Sequence, residues 1–335
     1  MNKTYSKLLM LLTFIVVTGI QAQNPFITHK YIADPSARVF NDTLYVYASH
    51  DEDNATYFDM LDWACFSTTN MVDWRDHGAV FSLKDIKWAN KWAWAPDAVK
   101  RNGKYYFYYP VERKKIGVAI ANHPTGPFKD ALGKPLIDSL EESFAGPEPI
   151  DPAILIDDDE QAYLYFGCRD ARVVKLKKNM IEREGPLYEI VILDKQGKRL
   201  LWKERGKEAT NLQVNHGGDG VYGEGPWVFK RKDLYYYVYS NGWAKDATMV
   251  YATSQNPLGP FVYQGKVMEA VSSWTSHGSI VQYKGKWYVF YHTQDISNSG
   301  FKRSVCVDEL FFKENGSIIT VTPTRQGVDK INLKM

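Results

Sequence analysis

Five times along this chain a short apolar run, a tight polar turn and an aromatic run follow one another, and this repeat narrows the fold more than any other feature. The apolar runs are Ala37 to Phe40, Ala98-Val99, Ala153 to Ile156, Trp227 to Phe229 and Ser279 to Val281. The aromatic runs that answer them are Leu44 to Tyr47, Tyr105 to Tyr108, Ala162 to Tyr165, Leu234 to Tyr237 and Trp287 to Phe290. Turns such as Asn102-Gly103 between them make each unit a β-hairpin. A third strand then ends in a polar or Pro/Gly turn, as at Ser67-Thr68-Thr69-Asn70 and Asn256-Pro257-Leu258-Gly259-Pro260. A fourth short strand follows, for example Val262 to Met268 or Ile318 to Val321. Four strands repeated five times predict an all-β chain folded as a five-bladed β-propeller with four antiparallel strands per blade. Successive units, measured from Tyr45 through Tyr105, Tyr163 and Tyr235 to Tyr288, are 60, 58, 72 and 53 residues apart, which leaves room for loops on one face. A β-sandwich does not explain the fivefold recurrence. Tyr, Phe and Trp make up 14% of the chain, a composition suited to strands and to flat stacking surfaces.

The first residues read as an export signal. Lys3 and Lys7 supply a positive start, Leu8 to Ile20 an apolar stretch, and Ala22 a small residue for cleavage. That stretch is shorter than the ~20 residues needed to span a bilayer. The expectation is therefore a signal peptide over 1–22 and a single propeller domain over 23–335, periplasmic or secreted and free of membrane after cleavage. The formal net charge of +2 gives no electrostatic case for nucleic acid. Cys65, Cys168 and Cys306 are too few for a disulfide framework, and their odd number leaves at least one free thiol.

In a propeller the innermost strand of each blade starts at the mouth of the central channel. Counting back eleven residues from the aromatic anchor gives Asp34, Trp94, Glu224 and His277, and twelve in the third unit, whose turn is longer, gives Asp151. Asp34-Pro35 and Asp151-Pro152 are also ordinary turn pairs, and Glu224 between two glycines could mark a bend. Three carboxylates in matching register point instead to a shared site. Crowded carboxyls resist ionising together, which suits acid–base chemistry. Gly218-Asp219-Gly220-Val221-Tyr222-Gly223 matches a dinucleotide pattern but leads into a strand, so it fails its context. His216 and Asp219 are weak metal candidates, and Arg113-Lys114-Lys115 reads as a solvated hairpin tip.

Ala33-Asp34-Pro35, Trp94-Ala95-Pro96-Asp97, Ile150-Asp151-Pro152, Gly223-Glu224-Gly225-Pro226, Ser276-His277-Gly278-Ser279 and Phe301 to Asp308 together resemble glycoside hydrolase family 43, across the whole mature chain and in order. The resemblance is to β-xylosidases, α-L-arabinofuranosidases and arabinoxylan-debranching members. It implies a five-bladed propeller that hydrolyses glycosidic bonds with inversion. Asp34 would be the general base, Glu224 the general acid, and Asp151 would orient the acid and raise its pKa. It further implies that Arg303 contacts substrate, with a surface arginine as the alternative. His277 would lie near substrate or near a central water-bound calcium; no other cofactor is implied. Trp94 at the mouth could meet sugar C–H faces, with Trp92, Trp74 and Trp243 as further candidates against a packing role. The expected partner is a plant cell-wall oligosaccharide or polysaccharide from which terminal arabinofuranose or xylose is released. The competing readings are an endo-acting arabinanase, a retaining fructan-type propeller and a non-catalytic carbohydrate-binding propeller.

Overall fold

The computed structural model describes residues 24–141, 148–201, 215–216, 220–243 and 247–332. The signal-like segment 1–22 lies outside them, as does Asp219. Five antiparallel sheets follow one another in chain order. Blade 1 is built from Tyr31–Phe40, Thr43–Asp51, Asp62–Thr68 and Arg75–Ser82. The first two strands of the others are Asp97–Arg101 with Lys104–Val111, Ala153–Ile156 with Ala162–Phe166, Glu224–Arg231 with Leu234–Ser240, and Ser279–Tyr283 with Lys286–Thr293. These five hairpins are the five predicted from sequence, and their first strands touch one another in a ring. The chain is a five-bladed β-propeller.

The blades depart from a uniform four strands in two places. Blade 4 gains a fifth strand, Ile192–Leu193, which pairs in parallel with its outer strand Phe261–Lys266. In blade 2 the outer position is divided between Lys129–Asp130 and Ile137–Asp138, both on Lys115–Ala121. These short pieces lie in linkers between repeats, where no alternating pattern marks them. Asn215–His216 and Gly242–Trp243 form a separate two-stranded ribbon. A single 3₁₀ turn, Leu83–Asp85, is the helical content of the described residues, and none of their helices is long and apolar enough to cross a membrane.

The unbroken aromatic runs follow from burial on both faces. In a strand successive side chains point to opposite sides, and here each side meets a neighbouring blade. Tyr105, Phe107 and Tyr109 enter the layer shared with blade 1, against Tyr47, Trp63 and Phe81. Tyr106 and Tyr108 enter the next layer, against Ile154 and Leu164 of blade 3. Truncating one such buried aromatic costs about 3–5 kcal/mol.

The ring closes at the N-terminal end of the described chain. The Asn24 amide donates to the carbonyls of Val307 (3.0 Å) and Thr324 (2.8 Å), and the Phe26 and Ile32 N–H groups donate to Val305 and Arg303 on blade 5. Deeper in, the fully buried Asp97 ties three blades together on the axis. It accepts from Ser36 Oγ (2.6 Å), from the Arg38 guanidinium, and from the backbone N–H of Ala98 and Ile154 (2.7 Å each). Arg38 also donates to the Ile154 carbonyl and lies over the Trp227 ring of blade 4. The cysteines are all buried and unpaired.

Candidate active site

At one end of the axis a depression of about 270 Å³ is lined by Asp34, Trp94, Asp151, Glu224, His277 and Arg303, together with Tyr57, Phe58, Arg113, Glu148, Cys168, Arg169, Trp243, Thr275 and Phe301. The first six come from residues as far apart as 34 and 303, and all six were chosen from sequence.

Their register differs from the eleven-residue count in one respect. Strand pairing makes Ala33 of blade 1, opposite Ser49, equivalent to Glu224 of blade 4, opposite Ser240. Asp34 therefore corresponds to Gly225, and Glu224 stands one residue earlier. Trp94 is displaced in the same way. The cause is the anchor: Tyr105 and Tyr235 sit one residue past the hairpin's closing pair, whereas Tyr45 and Tyr288 sit two past it. Both strands carry a bulge at this point, between Ala33 and Ser36 and between Glu224 and Trp227. Asp34 and Asp151 adopt a left-handed φ of 55°, and in blade 4 Gly225 takes the bend with φ 63°. A Cβ on Gly225 would come within 3.1 Å of the His277 ring, a tight contact at a φ that favours glycine. Its N–H donates to Asp151 Oδ2 at 3.0 Å.

The carboxyls are buried in different company. Burial opposes ionisation of Asp34, but the Arg303 guanidinium at 2.9 Å, assisted by a 2.6 Å hydrogen bond from Ser49, reverses this and brings it down to about 2. Glu224 lacks such a cation. Burial, reinforced by the charges of Asp34 and Glu148, raises it to about 8, against a hydrogen bond to Trp243 that pulls the other way. Asp151 is also raised, by burial first and then by Glu224 and Asp34. Burial is thus the leading cause at Glu224, where a neighbouring aspartate was the expected one. The His277 imidazole lies between Asp34 (3.8 Å) and Asp151 (3.9 Å), and burial lowers its pKa.

Arg303, read from sequence, gathers partners that were not. Arg303 is 2% exposed, which overturns the surface alternative. Its guanidinium bridges Asp34 and Asp51, with Nε and Nη2 on Asp51 and Nη1 on Asp34 and Thr275. His292 Nδ1 accepts from the Asp34 N–H at 3.1 Å, which places its proton on Nε2, directed at the Thr275 carbonyl (3.0 Å). Burial lowers its pKa to about 3, so the ring is neutral. Asp51 ends the second strand of blade 1, and His292 is the last residue but one of the second strand of blade 5. Counting forward from the aromatic run, as well as back, would have found them.

Trp94 donates to the Phe58 carbonyl at 2.8 Å and stacks on Trp92 at 5.8 Å. Trp243 lines the depression beside Glu224. Trp74 stacks on Phe26 at 4.3 Å in the layer between blades 1 and 5 and takes no part in the site. Arg113 does occupy a hairpin tip and is 37% exposed, but its head group is also held by the site. It folds over Trp94, 5.7 Å from the ring centroid, and pairs with Glu148 at 2.7 Å in the wall of the depression.

Beside His277 the described side chains offer no ready set of protein ligands for a calcium. Asp34 is taken by Arg303 and Ser49, Asp151 is held by the Gly225 N–H, and both Asp97 oxygens are occupied, chiefly by Arg38. No three His, Cys, Asp or Glu side chains among the described residues converge on a metal position. The cation on the axis is the Arg38 guanidinium.

Comparison with known proteins gives a consistent result. The sequence profile of "Glycosyl hydrolases family 43" matches residues 22–318. A xylosidase/arabinosidase of Humicola insolens is 34% identical over 89% of this chain and 99% of its own, and one of Bacteroides ovatus is 33% identical over 87% and 95%. Among solved structures, a β-xylosidase/α-arabinofuranosidase from a compost microbial metagenome, in complex with xylotriose and calcium-free, superposes with a TM-score of 0.78 at 34% identity, covering 91% of this chain and 98% of its own. With this fold, this depression and these relatives, the chain belongs to glycosyl hydrolase family 43 and is a glycosidase.

Proposed function

We propose that the protein is an exported, inverting exo-glycosidase that releases terminal arabinofuranose or xylose from xylan- or arabinan-type oligosaccharides. The observation that carries this reading is one depression holding two carboxyls driven in opposite directions, Asp34 down to about 2 and Glu224 up to about 8. Inversion needs such a pair: an ionised carboxylate to activate water on one ring face, and a protonated carboxyl to give its proton to the leaving oxygen on the other. In this reading Asp34 is the base, and Arg303, His292 and Ser49 fix its oxygens and charge. Glu224 is the acid. Asp151 holds the Gly225 N–H and so fixes the bend that presents Glu224. Neutral His277 and the Trp94 ring supply hydrogen-bonding and stacking contacts to the sugar.

Pentose release is supported by the names of the relatives, and a small depression of about 270 Å³ has room for a terminal sugar. The purified protein should hydrolyse an aryl α-L-arabinofuranoside or an aryl β-D-xyloside, and the Glu224→Gln and Asp34→Asn variants should not. Internal cleavage of linear arabinan without pentose release would replace this reading with an endo-acting one. Export rests on the Lys3–Ala22 signal pattern. N-terminal sequencing of protein recovered outside the cytoplasm should begin at Gln23.

A further inference from the structure

Among the described residues, the rim of the depression holds two arginines that share a single carboxylate. Arg113 and Arg169 both grip Glu148: Arg113 through Nε (3.2 Å) and Nη2 (2.7 Å) on Oε2, Arg169 through Nη2 on Oε1 (2.6 Å). One carboxylate cannot neutralise two guanidiniums, so the cluster keeps a net positive charge. Each arginine remains about a third exposed, at 37% and 34%, while Glu148 is 12% exposed. Arg169 Nε is buried with no hydrogen-bond partner among the described residues. Both arginines are held in left-handed backbone conformations, φ 59° and 64°.

The cluster also has a defined side. The Arg169 N–H donates at 2.5 Å to the carbonyl of Gly223, the residue directly before Glu224. Asp34 is gripped from elsewhere, by Arg303 and His292. A general acid touches the leaving oxygen, so groups flanking Glu224 flank the leaving group.

Resting on the glycosidase reading above, we propose that Arg113 and Arg169 form a carboxylate-recognition site, and that the preferred substrate carries a uronic acid on the leaving-group side of the bond that is cut. Planar guanidiniums match a carboxylate in shape and charge, and such hydrogen bonds are stronger than neutral ones. Neutral sugar hydroxyls would not use the surplus charge.

The test is binding to the Glu224→Gln protein, measured by calorimetry, so that no turnover is needed. The ligands are a xylo-oligosaccharide bearing one glucuronic acid and its methyl ester, which differ in the negative charge and one methyl group. The free acid should bind at least ~10-fold tighter at low salt, about 1.4 kcal/mol, and the preference should shrink as salt screens it. Arg113→Gln and Arg169→Gln should each reduce the ratio, while a Lys at either position should retain part of it. The same pair of ligands built on galacturonic acid distinguishes the two uronates. Equal Kd values for both acids and their esters would overturn the proposal, with no variant required. Parallel turnover of a neutral aryl pentoside by the wild-type protein separates the two claims. Turnover with equal Kd values removes only this site. A charge preference without turnover of any pentoside removes the pentosidase reading and leaves the carboxylate site standing.

Discussion

Glu224 and Asp34 share a depression, yet their carboxyls are tuned to opposite states, and each state has a measurable consequence. In the proposed mechanism, activity needs Glu224 protonated and Asp34 ionised. kcat/KM should therefore fall as pH rises through about 8 and hold on the acid side until pH approaches the low value of Asp34. Removing either group should cut kcat/KM by roughly a hundred- to ten-thousand-fold. The stability effects have opposite signs. The folded pKa of Glu224 lies above its ordinary 4.5, so the native state holds a proton that the unfolded chain releases, and stability falls as pH rises from 4.5 to 8. Glu224→Gln should then be the more stable protein at pH 8, by on the order of a few kcal/mol, with the gain vanishing below pH 4.5. Asp34 works the other way. Its pKa is depressed, so its contribution is present above the ordinary 3.8 and is lost as pH falls through about 2. Thermal melts of wild type and both variants across this range check both signs.

At the scale of strands and turns, the hairpins could be read from sequence because an aromatic run buried on both faces leaves an unmistakable pattern. The mouth residues could be read because each first strand begins at the same end of the channel. The count was still off by one for Trp94 and Glu224, since strand register is set by the turn and the bulge, and an aromatic anchor can sit on either of two neighbouring positions. Asp51 and His292 are legible only by counting forward from the aromatic run, and Glu148 and Arg169, brought by loops, carry no signal in the sequence. Each is an ordinary polar residue until folding brings it to the rim. Asp97 illustrates the same gap: it stood inside a recognised motif, but its place on the axis follows only from Ser36, Arg38 and Ile154 meeting it from two other blades. Asp97→Ala strands the Arg38 guanidinium without its partner in a mostly buried channel. It should destabilise the fold by about 3–5 kcal/mol in urea titration, whereas Arg38 and Asp97 replaced together should lose less than the two single changes summed.

For the molecule as a whole, the ring is only as strong as its closure. Asn24 and Phe26 clasp the third strand of blade 5 before the chain enters blade 1, so the first and last blades are held by the segment just after the proposed cleavage site. Asn24→Ala removes hydrogen bonds to Val307 and Thr324 and should cost about 1–3 kcal/mol, seen as a lower urea midpoint with an unchanged slope. Closure matters to the chemistry because Asp34 belongs to the first blade while His277, His292 and Arg303 belong to the last. A ring that opens there separates the base from the groups that hold it ionised. The same geometry underlies the stereochemical proposal, in which a base fixed from blades 1 and 5 and an acid delivered by blade 4 would approach the sugar from different sides. Proton NMR of fresh product, recorded before mutarotation, tests this most directly. An aryl β-D-xyloside should yield α-xylose first, or an aryl α-L-arabinofuranoside β-arabinofuranose first. Initial release of sugar with the substrate's own anomeric configuration would contradict the account.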